Sequence, residues 1–201
     1  MTTWLTSDLH LGHIKAIELC NRPWFTTTEM NEAIIQRYNS VVAEGDTVYC
    51  LGDMVMGQLS ENLPMLSRLN GTKLLILGNH DRPSQAYHHK KIEVWWNIYQ
   101  SYFPVMMEEM RLDIGPNGEE ILFNHFPYAD PDYVDHAEAG RFAKLQPKNE
   151  GEWLIHGHVH GAWKVNGKQI NVGVDAWDYY PVPLDTILNM IKENPNGFSR
   201  S

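Results

Sequence analysis

Five times along this chain a short apolar run stops at a small cluster of His, Asp, Asn and Gly. Trp4 to Ser7 runs into Asp8-Leu9-His10, and Thr47 to Leu51 runs into Gly52-Asp53. Lys73 to Leu77 precedes Gly78-Asn79-His80-Asp81, Glu120 to Phe123 precedes Asn124-His125, and Trp153 to Ile155 precedes His156-Gly157-His158-Val159-His160. Short apolar runs bounded by turn residues read as buried strands. A strand that hands its last residues to a polar turn delivers side chains at its carboxyl end. Five such strands predict a sheet edge at which these polar residues are brought together.

Between the early strands the period changes to that of a helix. Met30, Ile34, Tyr38 and Val41 or Val42 share one helical face, and Thr26 with Glu29 has the spacing of a capping box. Pro64 to Leu69 ends a second helical stretch. Strands alternating with helices through about residue 100 imply parallel strands and crossover helices. The second half instead reads as hairpins. Val105 to Ile114 and Glu119 to Phe123 flank Gly115-Pro116-Asn117-Gly118, while Trp163 to Val165 and Lys168 to Val172 flank Asn166-Gly167. The expected fold is therefore α/β, two packed mixed sheets with helices outside, in an α/β/β/α sandwich. Residues 126 to 152 read as a long loop with some helix, and Pro183 to Lys192 as a final helix. Residues 1 to 193 are expected to form one domain, and 194 to 201 a polar, frayed tail.

A chain of 201 residues with 43% hydrophobic residues can fill one core. Its formal net charge of −9 argues against broad electrostatic binding of nucleic acid. Bound divalent cations would reverse that balance locally, so a phosphate substrate at a metal centre stays open. The two cysteines, Cys20 and Cys50, are too far apart in sequence for a close-spaced metal or redox motif. No apolar run reaches the roughly 20 residues a membrane span needs, and a cytoplasmic protein with no membrane partner is expected.

Taken singly the strings are weak. Asp8-x-His10 occurs by chance in many proteins, Gly52-Asp53 is an ordinary turn, and a lone histidine such as His125 is commonly a satisfied buried residue. Their order is informative. Asp-x-His, Gly-Asp, Gly-Asn-His-Asp, His and Gly-His-x-His, from residue 8 to residue 160, together resemble the calcineurin-like metallophosphoesterases. The resemblance implies a dimetal site at the strand ends. Asp8, His10, Asp53 and His160 would hold one cation and Asp53, Asn79, His125 and His158 the other, with Asp53 bridging. A set of nitrogen and oxygen ligands without thiolate fits Mn, Fe, Zn, Co or Ni and excludes none of these by type; two divalent ions are expected, with Mn favoured. The implied reaction is hydrolysis of a phosphate ester, most readily a phosphodiester, by attack of a metal-bound hydroxide. Asp53 and His80 would be the catalytic residues, His80 beside the leaving-group oxygen.

One position departs from many relatives of that family. Met56 stands where an acidic residue commonly orients the catalytic histidine, which weakens a protein-phosphatase reading and makes Asp81 an alternative partner for His80. His13 and Arg82 are candidates for substrate contact, as are Arg22 and Arg141, although arginines more often serve the surface or the framework. His156 is expected to be structural, and His88, His89 and His136 to lie at the surface. Tyr128, Tyr133, Trp177 and Tyr179 could line the cleft and stack on a base. The expected substrate is a small phosphate ester or nucleotide. Alternatives are a phosphomonoesterase for nucleotides or small phosphates, a nuclease, which would need a basic groove not evident here, and a non-catalytic binding protein on the same fold. The complete ligand set argues against the last.

Overall fold

The computed structural model describes residues 1–87, 91–129 and 141–201. Among these residues ten strands form two five-stranded sheets. In the first, β1 (Thr3–Thr6), β2 (Thr47–Cys50), β3 (Thr72–Ile76) and β4 (Val105–Met107) run parallel in that order. The short β10 (Val182–Pro183) pairs antiparallel with β1 at the edge. The second sheet has the order β5 (Glu109–Asp113), β6 (Glu120–Asn124), β7 (Trp153–His156), β9 (Gln169–Asn171), β8 (Val165–Asn166). Here β6, β7 and β9 are parallel, and the outer pairs β5·β6 and β8·β9 are antiparallel hairpins. The mixed two-sheet sandwich is the one the strand pattern predicts.

Side-chain alternation explains how the layers adhere. On β2, Val48 and Cys50 belong to the core under the helices, whereas Tyr49 packs with Leu5, Ile76, Phe123 and Ile155 in the other principal cluster. Ile121 and Phe123 of β6 join this second cluster, and the intervening Leu122 packs with Tyr128 and Leu154. Full burial of each such aliphatic side chain stabilises by about 1.5–3 kcal/mol.

Helix α1 (Ile14–Leu19) and the longer α2 (Thr27–Val41) connect β1 to β2. The expected capping box forms: Thr26 Oγ1 accepts from the Glu29 amide at 3.1 Å, and Glu29 Oε2 accepts from the Thr26 amide at 3.2 Å. Met30, Ile34 and Tyr38 are fully buried, and Val42 rather than the exposed Val41 completes the stripe. Between β2 and β3 come α3 (Leu59–Asn62) and a 3₁₀ turn over Leu63–Arg68; α4 (Ile92–Gln100) precedes β4, and α5 (Leu184–Glu193) closes the fold.

Two expectations change. Val105 to Ile114 is not one strand: the chain leaves the first sheet after Met107 and enters the second at Glu109. The turning residue, Glu108, accepts the Gln85 amide at 2.9 Å. The terminal residues do not fray. Gly167 and Phe198 form an antiparallel bridge, and the Ser201 backbone pairs with Lys164 and Val165. Phe198 brings an apolar ring to the second core cluster, which is why this polar segment docks. No helix among the described residues is long and apolar enough to cross a membrane.

Candidate metal centre

Parallel pairing explains why distant residues meet. The carboxyl ends of β1, β2 and β3 lie side by side, placing Asp8, Asp53 and Asn79 at one edge of the first sheet. The parallel strands β6 and β7 do the same for His125, His158 and His160. The loops then bend sharply. Asp8, His10, Asp53, His158 and His160 all have positive φ, between 49° and 69°. This conformation costs a non-glycine residue about 1–2 kcal/mol, and such strain concentrates where function requires it. Gly52 allows a close approach: it has φ +95°, and a β-carbon there would lie 2.5 Å from His125 Nδ1 and 2.7 Å from Gly78 Cα.

Each carboxylate is anchored through one oxygen and presents the other to the centre. Asp8 Oδ2 accepts the His158 amide at 2.9 Å, leaving Oδ1 3.7 Å from His10 Nε2. Asp53 Oδ1 accepts the His80 amide at 2.9 Å. Its Oδ2 lies 3.6, 3.8 and 3.9 Å from Nε2 of His125, His10 and His80, so Asp53 stands at the middle of the cluster. Asn79 Oδ1 lies 2.8 Å from His125 Nε2 and 3.0 Å from His158 Nδ1.

The histidines are turned inward by their other nitrogens. His125 Nδ1 donates to the Leu51 carbonyl at 2.6 Å, and His160 Nδ1 donates to Asp175 Oδ2 at 2.9 Å. His10 Nδ1 lies 3.1 Å from Met56 Sδ, which can only accept. The opposite ring nitrogens of these three histidines are therefore available as lone-pair donors, the arrangement metal-binding imidazoles adopt.

Three observations show that the set fits divalent cations. Asp8 Oδ1 and His10 Nε2 are buried and have no hydrogen-bond partner, although buried polar atoms are almost always paired. With Nδ1 donating to Leu51, His125 faces Asn79 Oδ1 with a second acceptor, and a cation held by both residues would resolve that opposition. Burial, followed by the charge of Asp8, pushes the Asp53 carboxyl up to about 7, because two enclosed carboxylates resist ionising together without a compensating charge. On Asp8 burial acts in the same direction, but the adjacent His10 and the other surrounding imidazoles bring its pKa well below the usual range.

Behind His160 lies a residue that sequence reasoning missed. Asp175 accepts from Arg22 Nε and Nη2, both at 2.8 Å, as well as from His160 Nδ1. The same guanidinium donates to the Asp8 carbonyl at 2.7 Å and the Leu9 carbonyl at 2.9 Å. Arg22 is thus a buried brace between two loops of the centre, not a phosphate ligand. Burial opposes charging His160, yet Asp175 raises its pKa well above the ordinary histidine range, making the inward nitrogen more basic. Asp175 follows β9 in Val172-Gly173-Val174-Asp175, a sixth strand-end string that lacks a histidine to draw attention to it.

Other expectations resolve individually. Asp81 does not orient His80: its Oδ2 accepts the Asp53 amide at 3.0 Å and the Gly78 amide at 2.9 Å, tying two loops together beneath the site. Burial and the nearby Asp53 push its carboxyl up to about 7. Met56 contacts His10 instead. His13 packs 5.4 Å from the His10 ring, and its Nδ1 is buried without a hydrogen-bond partner. His156 is fully buried against Trp163 and donates from Nδ1 to the Gly157 carbonyl at 2.6 Å, as a structural histidine would. Tyr128 is buried in the core, Tyr179 packs on Trp24, and Trp177 Nε1 donates to the Asn171 carbonyl, so these three are packing residues. Phe126 and Phe142 instead flank His158, at 5.0 and 6.2 Å between ring centroids. Arg141 lies over Phe142. Tyr133, His88, His89 and His136 fall outside the described residues. The centre opens into a cavity of about 650 Å³ lined by His10, His13, Asp53, Asn79, His80 and His160, among others.

Residues 1–162 match the sequence profile of the calcineurin-like phosphoesterases. The chain is 34% identical to the Gene 66 protein of Mycobacterium phage D29, across 96% of this chain and 98% of the phage protein. It is 30% identical to an uncharacterized protein of Methanocaldococcus jannaschii, across 94% of this chain and 91% of that one. A solved structure of a protein of unknown function from Aquifex aeolicus aligns with a TM-score of 0.65 at 26% identity, covering 94% of this chain and 99% of the other. The matched profile runs from β1 through the His158-Val159-His160 string, and the chain belongs to the calcineurin-like phosphoesterase family.

Proposed function

We propose that this protein is a metal-dependent hydrolase of phosphoric esters that favours phosphodiesters. Family membership supports the reaction class. The observation that carries the reading is the convergence of Asp8, His10, Asp53, Asn79, His125, His158 and His160 on one region, with ligand-type atoms of Asp8 and His10 buried and unpaired. Asp8, His10, Asp53 and His160 would hold one cation, and Asp53, Asn79, His125 and His158 the other. The central position of Asp53 Oδ2 suits a bridge. Nitrogen and oxygen donors without thiolate suit Mn, Fe, Zn, Co or Ni, and Mn is the first choice for reconstitution. When bound, such ions supply an acidified water and neutralise phosphate oxygens.

The protein's own contribution is positioning. Backbone amides of His158 and His80 fix the two carboxylates, while Leu51, Met56 and Asp175 fix three imidazoles. His80 is a part-exposed member of the cluster, its Nε2 3.9 Å from Asp53 Oδ2. It stands where it can give a proton to a departing oxygen. The open cavity has space for substituents on both sides of a phosphate, which supports a diester or nucleotide substrate. The free thiols of Cys20 and Cys50 suit a cytoplasmic setting.

The test is a comparison of bis(4-nitrophenyl) phosphate with 4-nitrophenyl phosphate, before and after chelation and after restoring Mn. Metal-dependent turnover with the diester preferred is expected. Turnover that survives complete chelation removes the metal-dependent reading, and a strong monoester preference reverses the substrate assignment.

A further inference from the structure

A second cavity, of about 400 Å³, adjoins the first, and His13, Met56 and His80 line both. Its charge runs against that of the whole molecule. The chain has 25 acidic and 16 basic residues, yet the side cavity is lined by Lys15 and Arg82 and, among the described residues, by no Asp or Glu. Arg82 is held by stacking, its guanidinium carbon 4.2 Å from the Tyr87 ring centroid and 5.5 Å from that of Trp95. No carboxylate among the described residues pairs with Arg82 or Lys15. A stacked guanidinium keeps its edge N–H groups directed outward, ready for a planar or tetrahedral anion.

We propose that this side cavity binds an anionic group carried by the substrate's leaving group, so that preferred esters depart with a second negative charge of their own. The inference rests on the phosphoesterase reading and on the place of His80. His80 forms the junction between the cavities, so a leaving oxygen beside it directs the rest of the leaving group towards Lys15 and Arg82 rather than back over the metal ligands. A nucleotide phosphate or a carboxylate would satisfy the same chemistry, whereas a neutral alcohol would leave both cations without a counter-charge.

Two measurements on the Mn-loaded protein test this. In the first, two aryl phosphodiesters whose phenols are matched in acidity are hydrolysed, one neutral and one bearing a sulfonate. In the second, calorimetry compares binding of phenylphosphonate with that of 4-sulfophenylphosphonate. One charge-assisted contact predicts about a tenfold preference for the sulfonated partner in each. The preference should collapse to near unity in Lys15→Gln/Arg82→Gln. Lys15→Glu, at an exposed position on the surface of α1, should lower it on its own. Hydrolysis of both esters with no preference, or a preference unchanged in these variants, overturns the anion site while leaving the phosphoesterase reading standing. The reverse result, no hydrolysis with a binding preference that the variants abolish, supports the anion site and removes the phosphoesterase reading. A carboxylate series and a phosphate series of leaving groups then separate the two natural anion classes by their relative KM.

Discussion

Asp175→Ala should damage the protein twice, once in the fold and once at the metals. The wild-type carboxylate accepts three hydrogen bonds, two from Arg22 at 2.8 Å and one from His160 at 2.9 Å. The Arg22 side chain is 0% exposed and that of Asp175 3%, so truncation leaves a guanidinium enclosed without its counter-ion. Breaking a buried ion pair in this way costs about 3–5 kcal/mol. For a chain near 200 residues each kcal/mol lowers Tm by about 2–4 °C, giving a fall on the order of 10 °C in the metal-free protein. The second effect appears on Mn titration. His160 loses the partner that fixes its ring, and loss of such a partner lowers metal affinity by about 10- to 100-fold. Asp175→Asn keeps the shape and an acceptor oxygen and should fall between wild type and Ala. Urea unfolding without metal, followed by calorimetric Mn titration, measures both parts. A destabilisation below about 1 kcal/mol with unchanged Mn affinity would refute the reasoning, since it would mean that neither Arg22 nor His160 depends on Asp175.

Further predictions separate framework from chemistry. His80→Ala should retain its metal and lose about 10²- to 10⁴-fold in turnover, more for alkoxide than for nitrophenolate leaving groups; an equal loss on both would point to phosphate binding instead. Thr26→Ala should cost about 1 kcal/mol in urea unfolding and leave metal affinity unchanged, because it removes only the cap of α2. Asp46 accepts hydrogen bonds from Thr2, Trp4 and Ala43, and these hold its pKa below the usual carboxylate value. The stability difference between wild type and Asp46→Asn should thus be full above about pH 4 and shrink as pH falls through the lowered pKa. A difference that grows with acidification would contradict that sign.

The parts of this structure that were legible in the sequence are those set by local pattern. Apolar runs placed β1, β2, β3, β6 and β7, turn residues placed the two hairpins, and Thr26 with Glu29 marked the start of α2. The strings at the strand ends carry nearly every side chain now seen in the cluster. What escaped depends on tertiary direction. Whether Asp81 points to His80 or back beneath its own loop, and whether Met56 meets His80 or His10, follows from backbone angles that spacing does not encode. Positive φ at Asp8, His10, Asp53, His158 and His160 is likewise invisible in residues that lack glycine's freedom. Arg22 and Asp175 lie 153 positions apart, and neither has a local pattern that announces the other. Tyr128 is a candidate cleft aromatic by sequence, but it packs with Leu122 and Leu154 in the core, a direction that its place in the sequence does not encode.

The central proposal is that one edge of the sandwich would hold two cations bridged by Asp53. It is tested most directly by dialysing the purified protein against Mn and counting metal per chain in wild type and Asp53→Asn, with circular dichroism confirming that both are folded. Two ions per wild-type chain are expected, with marked loss from both sites in the variant, since the bridging carboxylate serves each cation and offsets their mutual repulsion. Two ions retained at unchanged affinity in folded Asp53→Asn would contradict the bridge, and a wild-type chain that binds none would contradict the centre itself.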